Sequence, residues 1–193
     1  MGNIACNTKY WAASDKEADS YDSWVHKLNE TYGSWNVSSN EKPDFSAQIQ
    51  INQFGKFQII DCKVDPCGGD KSSVNMAQDQ DEILAIQLVV SGREKMQLGD
   101  QEFSLKPGDI FVWDNTHKMK FEVEEKLHKI SAIMPLQRLK DWMPAAWKDM
   151  PRQLFAGTPH NNILKSYMLS LSNTELDGSM MNDNALTETT IAM

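Results

Sequence analysis

ILAIQLVVSGREKMQLGDQEFSLKPGDIFVWD (83–114) decides the fold. ILAIQLVVSG (83–92) is a near-continuous apolar run, which predicts a strand buried on both faces. Ser91-Gly92 turns that run into EKMQL (94–98). Gly99-Asp100 is a tight-hairpin signal, and QEFSL (101–105) returns from it. Pro107-Gly108 makes another turn, and DIFVW (109–113) another strand.

Strand signals continue on both sides. Upstream lie AQIQI (47–51), a Phe54-Gly55 turn and KFQIIDCKV (56–64). DPCGGDKSS (65–73) reads as turn and MAQDQDE (76–82) as polar linker. Downstream, Asn115-Thr116 loops into MKFEV (119–123), and KISAIM (129–134) ends the series. These are about eight short strands with turn signals between them, which predicts an antiparallel sandwich or barrel. No helical pattern separates consecutive strands between 45 and 134, which argues against a doubly wound α/β sheet.

Helices flank this β region. Ser14 and Glu17 have capping-box spacing, Trp24, Val25, Leu28 and Tyr32 share a helical face, and Gly33 supplies a stop. After the strands, LQRLKDWM (136–143) is closed by Pro144, and ILKSYMLSL (163–171) carries the stripe Ile163, Leu164, Tyr167, Met168 and Leu171. A further helix is expected from Ser179. ALTETTIAM, at the end, reads as helix interior without a closing signal, as in a chain cut from something longer. The expected division is an N-terminal extension (1–20), a barrel with flanking helices (21–144) and a helical segment (145–193).

Nineteen Lys plus Arg against 27 Asp plus Glu give a net charge of −8, so this polypeptide repels phosphate backbones and is itself a poor nucleic-acid binder. No apolar run approaches the ~18 residues of a membrane-spanning helix. The start lacks the basic and apolar regions of a secretory signal. Cys6, Cys62 and Cys67 form no CxxC pair, and free thiols in a cytoplasmic protein are expected.

LKPGDIFVWDNTHKMKF (105–121) has a Pro-Gly-Asp turn, a strand and then His117, like the second half of a cupin metal motif. Residues 83–98 hold no histidine to partner it, so no metal site and no cofactor are expected. His26, His128 and His160 are scattered and read as solvated. No nucleophile elbow, phosphate loop or zinc-protease motif occurs, and the chain reads as a non-enzyme. What remains is a barrel interior. Phe57, Ile59, Ile86, Leu88, Phe111, Trp113 and Phe121 are the candidates to face it and bind a ligand, and alternation leaves open whether they fill it or line a cavity. Asp109, Asp114 and Glu82 are candidates to pair with an amine.

YDSWVHKLNETYG (21–33), the 83–114 stretch and KISAIMPLQRLKDWMP (129–144), in that order, resemble the effector-binding domain of AraC-family transcription regulators, of the AraC-binding-like type. The sharpest parts are the Ser-Gly turn, the Pro-Gly-Asp turn with its following Asp, and the MPLQRL junction; the resemblance runs from about residue 20 to the end. It implies a cupin-like antiparallel β-barrel that binds a small-molecule effector, with an aromatic or an amine as candidate. It also implies a C-terminal helical dimerisation segment, and DNA binding through a helix-turn-helix domain not in this chain. The stripe Ile163, Leu164, Tyr167, Met168 and Leu171 would then form the homodimer interface, with packing on the barrel as the alternative. Two other functions stay open: a small metal-dependent cupin enzyme, or a ligand-free dimerisation module.

Overall fold

The computed structural model describes residues 6–13, 20–38, 45–144 and 149–173. Within them are twelve strands and four helices. In chain order they are β1 (Cys6–Ala13), α1 (Ser20–Tyr32), β2 (Asn36–Val37), β3 (Ala47–Phe54), β4 (Phe57–Val64), β5 (Gly68–Lys71), α2 (Ser73–Gln78) and β6 (Ile83–Ser91). Then come β7 (Glu94–Leu98), β8 (Gln101–Leu105), β9 (Ile110–Asp114), β10 (Met119–Val123), β11 (Leu127–Pro135), α3 (Leu136–Trp142), β12 (Gln153–Leu154) and α4 (Pro159–Asn173).

Every strand pairing is antiparallel. A seven-stranded sheet runs β1-β3-β4-β11-β6-β9-β12, and a five-stranded sheet runs β2-β5-β10-β7-β8. They face each other as an antiparallel sandwich whose sheets stay open. Strand burial differs between them for a plain reason. In β10 the residues alternate buried and exposed, so the five-stranded sheet has one wet face. In β9 all five residues are buried, because the seven-stranded sheet meets the other sheet in front and helices behind. The continuous apolar run of β6 has the same origin.

Two cores follow. The front core, between the sheets, gathers Ile49, Ile60, Cys62, Val89, Met96, Phe111, Trp113 and Phe121, with Trp24, Leu28 and Tyr32 of α1 inserted. The rear core gathers Phe57, Ile59, Leu88, Ile110, Val112 and Ile130 under Leu136 of α3 and Met168 of α4.

All eight strands read from the sequence are present, and four more join them. β1 pairs along its full length with β3, in a segment expected to be an extension. β5 lies in the stretch read as turn. Its glycines are there for approach: a Cβ on Gly69 would sit 2.7 Å from the Asn36 carbonyl oxygen and 2.9 Å from the Phe121 ring. The two-residue strands β2 and β12 carry too little pattern to be read. α2 runs from the end of the stretch read as turn into the supposed linker, capped by Ser72 and Asn75 in a reciprocal box. α1 keeps its stripe, and Gly33 takes φ +82° at its end. Ser14, Glu17 and the helix expected from Ser179 lie outside the described residues.

Candidate functional site

Alternation along three strands of known register builds the site. On β6, Ala85, Gln87 and Val89 face the front core, while Leu84 and Leu88 face the rear. On β11, Leu127, Lys129 and Ile133 face front and Ile130, Ala132 and Met134 rear. On β7, Glu94, Met96 and Leu98 are buried. Three polar side chains thereby enter an apolar interior together: Gln87, Glu94 and Lys129.

They satisfy one another. Lys129 Nζ donates to Glu94 Oε1 at 2.9 Å, and Gln87 Nε2 donates to Glu94 Oε2. The Glu94 side chain is 0 % exposed and that of Lys129 13 %. Burial works hardest on the pKa of Lys129 and lowers it, but the Glu94 charge and hydrogen bond together with the Cys62 and Cys67 sulfurs outweigh it, and the ammonium is held above its ordinary value. Lys129 Nζ also lies 5.6 Å from the centre of the Tyr32 ring, in cation–π range. The Tyr32 hydroxyl donates to Ser131 Oγ at 3.3 Å, and burial raises its pKa well above normal.

Aromatic rings surround this set. Trp35 meets Trp113 edge-on at 6.0 Å and Phe121 at 5.3 Å, while Tyr32 lies 6.4 Å from Trp113. The indole of Trp35 is fixed by donation to the Tyr32 carbonyl. A cavity of about 30 Å³ remains, walled by these rings with Trp24, Leu28, Met96, Gln87, Glu94 and Lys129. That is room for about one water. Trp113 Nε1 is buried without a hydrogen-bond acceptor among the described residues, and the buried Trp24 Nε1 has only the Cys67 sulfur as a weak acceptor. Cys67 also lines the cavity, and its thiol, like that of Cys62, is free and pushed by burial up to about 12. A groove of about 830 Å³ shares Cys67, Met96, Phe121 and Val123 with the cavity.

Of the seven side chains expected to face the interior, Phe111, Trp113 and Phe121 do. Phe57, Ile59 and Leu88 face the rear core, and Ile86 packs against it. The correction has a simple cause. A strand apolar on both faces gives no sign of which parity looks inward, and on β6 the inward parity is the one that holds Gln87.

The three acidic candidates are engaged by the protein itself. Asp109 accepts from Gln153 and from the Ala156 amide, Glu82 from Lys140, and Asp114 from Thr116, His117 and Arg152. His117 stands 2.7 Å from Asp114, and His128 is 3.0 Å from Asp61. No group of three metal-ligating side chains occurs among the described residues. No described helix is long and apolar enough to cross a membrane.

The stripe on α4 divides. Met168 is buried in the rear core, Leu164 and Leu171 pack against it, Tyr167 is half-buried and Ile163 is 66 % exposed.

Similarity to known proteins agrees with this architecture. The AraC-like transcriptional activator CuxR superposes with a TM-score of 0.73 at 13 % identity, over 96 % of this chain and 70 % of that one, a likeness of fold. KdgF from Halomonas sp. (19 % identity, 54 % of this chain, 87 % of that one) and the EutQ protein of Clostridium difficile (12 %, 52 % and 76 %) reach only 0.38 and 0.39, too loose to bear on function. No curated protein matches. The family model of the AraC-binding-like domain matches residues 24–187, well over half of the sequence, and the chain belongs to that family.

Proposed function

We propose that this chain is the sensing part of a transcription regulator, holding a small-molecule effector between its two sheets. Through that binding it controls a helix-turn-helix domain outside these residues. One observation carries the reading: an aromatic-walled interior in an AraC-binding-like domain encloses a polar set, Gln87, Glu94 and Lys129, with the unpaired Trp113 indole donor beside it. A filled core has no need of such groups, since even a matched buried ion pair carries a desolvation cost that apolar side chains of the same volume avoid. The role is binding rather than catalysis, in the cytoplasm where DNA is met. A homodimer belongs to the same reading. Ile163 and Tyr167 are the stripe residues left to meet a partner, because Leu164, Met168 and Leu171 serve the rear core.

A thermal-shift screen of small carbon compounds tests this. A true effector at a hundredfold excess over its Kd stabilises by about 2.7 kcal/mol, which raises Tm by roughly 5–10 °C in a domain of this size. The hit should also change tryptophan fluorescence, given the indoles around the cavity. If the screen stays blank while iron, manganese or zinc binds stoichiometrically, the reading fails in favour of a metal-dependent enzyme.

A further inference from the structure

Resting on that reading, the polar groups of the cavity narrow the chemistry of its ligand. We infer that the cavity takes an uncharged, planar-ring molecule bearing a hydrogen-bond acceptor such as a carbonyl oxygen.

Charge balance is the first argument. Glu94 is fully buried, the largely covered Lys129 lies 2.9 Å from it, and the two are opposite in sign, so their sum is zero. Both Glu94 oxygens are taken, by Lys129 and Gln87, and an entering cation would have to displace one of them. An entering anion would find Lys129 already neutralised and Glu94 nearby, in surroundings that screen poorly. The interior therefore rejects either charge and tolerates a neutral guest.

Donors in excess are the second argument. The Trp113 indole N–H has no acceptor among the described residues, and that of Trp24 has only the Cys67 sulfur, a weak acceptor. A ligand oxygen that reached the Trp113 indole would relieve a buried unpaired donor. The third argument is shape, since Trp35, Trp113, Phe121 and Tyr32 present ring edges and faces to a flat guest.

Room comes from the adjoining groove. At about 30 Å³ the cavity is too small for a ring, since a benzene site needs roughly 150 Å³. Met96 and Phe121 stand in both walls, and Met96 has a side chain that repacks easily. Swinging them aside joins the cavity to the groove, so ring binding should break the edge contact between Trp35 and Phe121.

Four benzene derivatives of seven to nine heavy atoms test this by isothermal titration at neutral pH: benzamide, benzoate, benzylamine and toluene. Benzamide should bind best, with each charged probe and toluene weaker by about tenfold or more. Glu94→Gln strands the lysine charge and should bring benzoate to the top; Lys129→Met strands the carboxylate and should do the same for benzylamine. If a variant does not fold, the ranking on the unaltered protein decides alone. Benzoate or benzylamine leading on the unaltered protein overturns the charge argument, and toluene equal to benzamide overturns the acceptor argument. Should none of the four bind while the wider screen yields an effector, the inference falls and the sensing function stands. If neither set binds, the sensing function falls with it.

Discussion

Asp114 illustrates a side chain held by two near neighbours in sequence and one distant residue. It ends β9 with its carboxylate fully buried, accepting from Thr116, His117 and, at 3.0 Å, Arg152 Nη1. Burial acts to raise its pKa, but the hydrogen bonds from Thr116 and His117 and the Arg152 contact prevail and hold it below the ordinary carboxylate value. The folded protein thus gains stability from Asp114 above the usual carboxylate range, near pH ~4, and loses it as pH falls through the lowered value. Asp114→Asn should destabilise by about 3 kcal/mol at neutral pH. Its Tm should also fall less steeply than that of the unaltered protein below pH ~4; parallel Tm–pH curves would contradict the assignment. Glu94 and Lys129 were within reach of sequence reasoning, because alternation with Met96 and Leu98 on one strand, and with Leu127 and Ile133 on the other, puts both inside. Their pairing was not, since β7 and β11 belong to different sheets. Gly92 is the opposite case. It is legible as a turn, yet the need for glycine there comes from a distant segment: a Cβ would lie 2.3 Å from the Lys126 carbonyl, at φ +84°.

At the level of elements, α4 shows why an apolar stripe is ambiguous. Periodicity identified the helix and its face but could not name the surface that face meets. Here it meets the back of β4 and β11, with Met168 1 % exposed against Ile59 and its neighbours. Met168→Ala should cost about 2–5 kcal/mol through the cavity it leaves. Ile163→Ala, one turn away on the exposed side, should stay within about 0.5 kcal/mol for the isolated chain. Urea titrations of both variants decide it, and equal midpoints would mean that α4 is not seated as described. Strands with strong periodicity were legible for similar reasons. β5 was not, because Gly68 and Gly69 are chosen for the space they leave rather than for strand propensity.

For the whole molecule, one buried network joins four separate segments. Lys71 Nζ lies 2.6 Å from Asp79 Oδ2 and donates to the Ser34 carbonyl at 2.8 Å. Asp79 also accepts from the Ser34 amide and from Asn115 Nδ2, and Lys71 stands over the Trp35 ring. Desolvation lowers the Lys71 pKa, with Asp79 opposing the effect. Asp79→Ala would leave that ammonium buried and unmatched, at a cost of about 3–5 kcal/mol. Tryptophan fluorescence and far-UV circular dichroism should then report one shared, lowered Tm; separate transitions would show that the loop after α1 melts independently. The sandwich as a class was readable from turn spacing, whereas the rear layer and the cavity were not, because both depend on which face each strand turns. That choice of face has a further consequence on β11. Lys129 touches the cavity and Ile130 the seat of α4, and the two are consecutive residues. The partition between the two compartments is one strand thick, and the residue that lines the cavity is joined to the one that seats α4 by a single peptide bond.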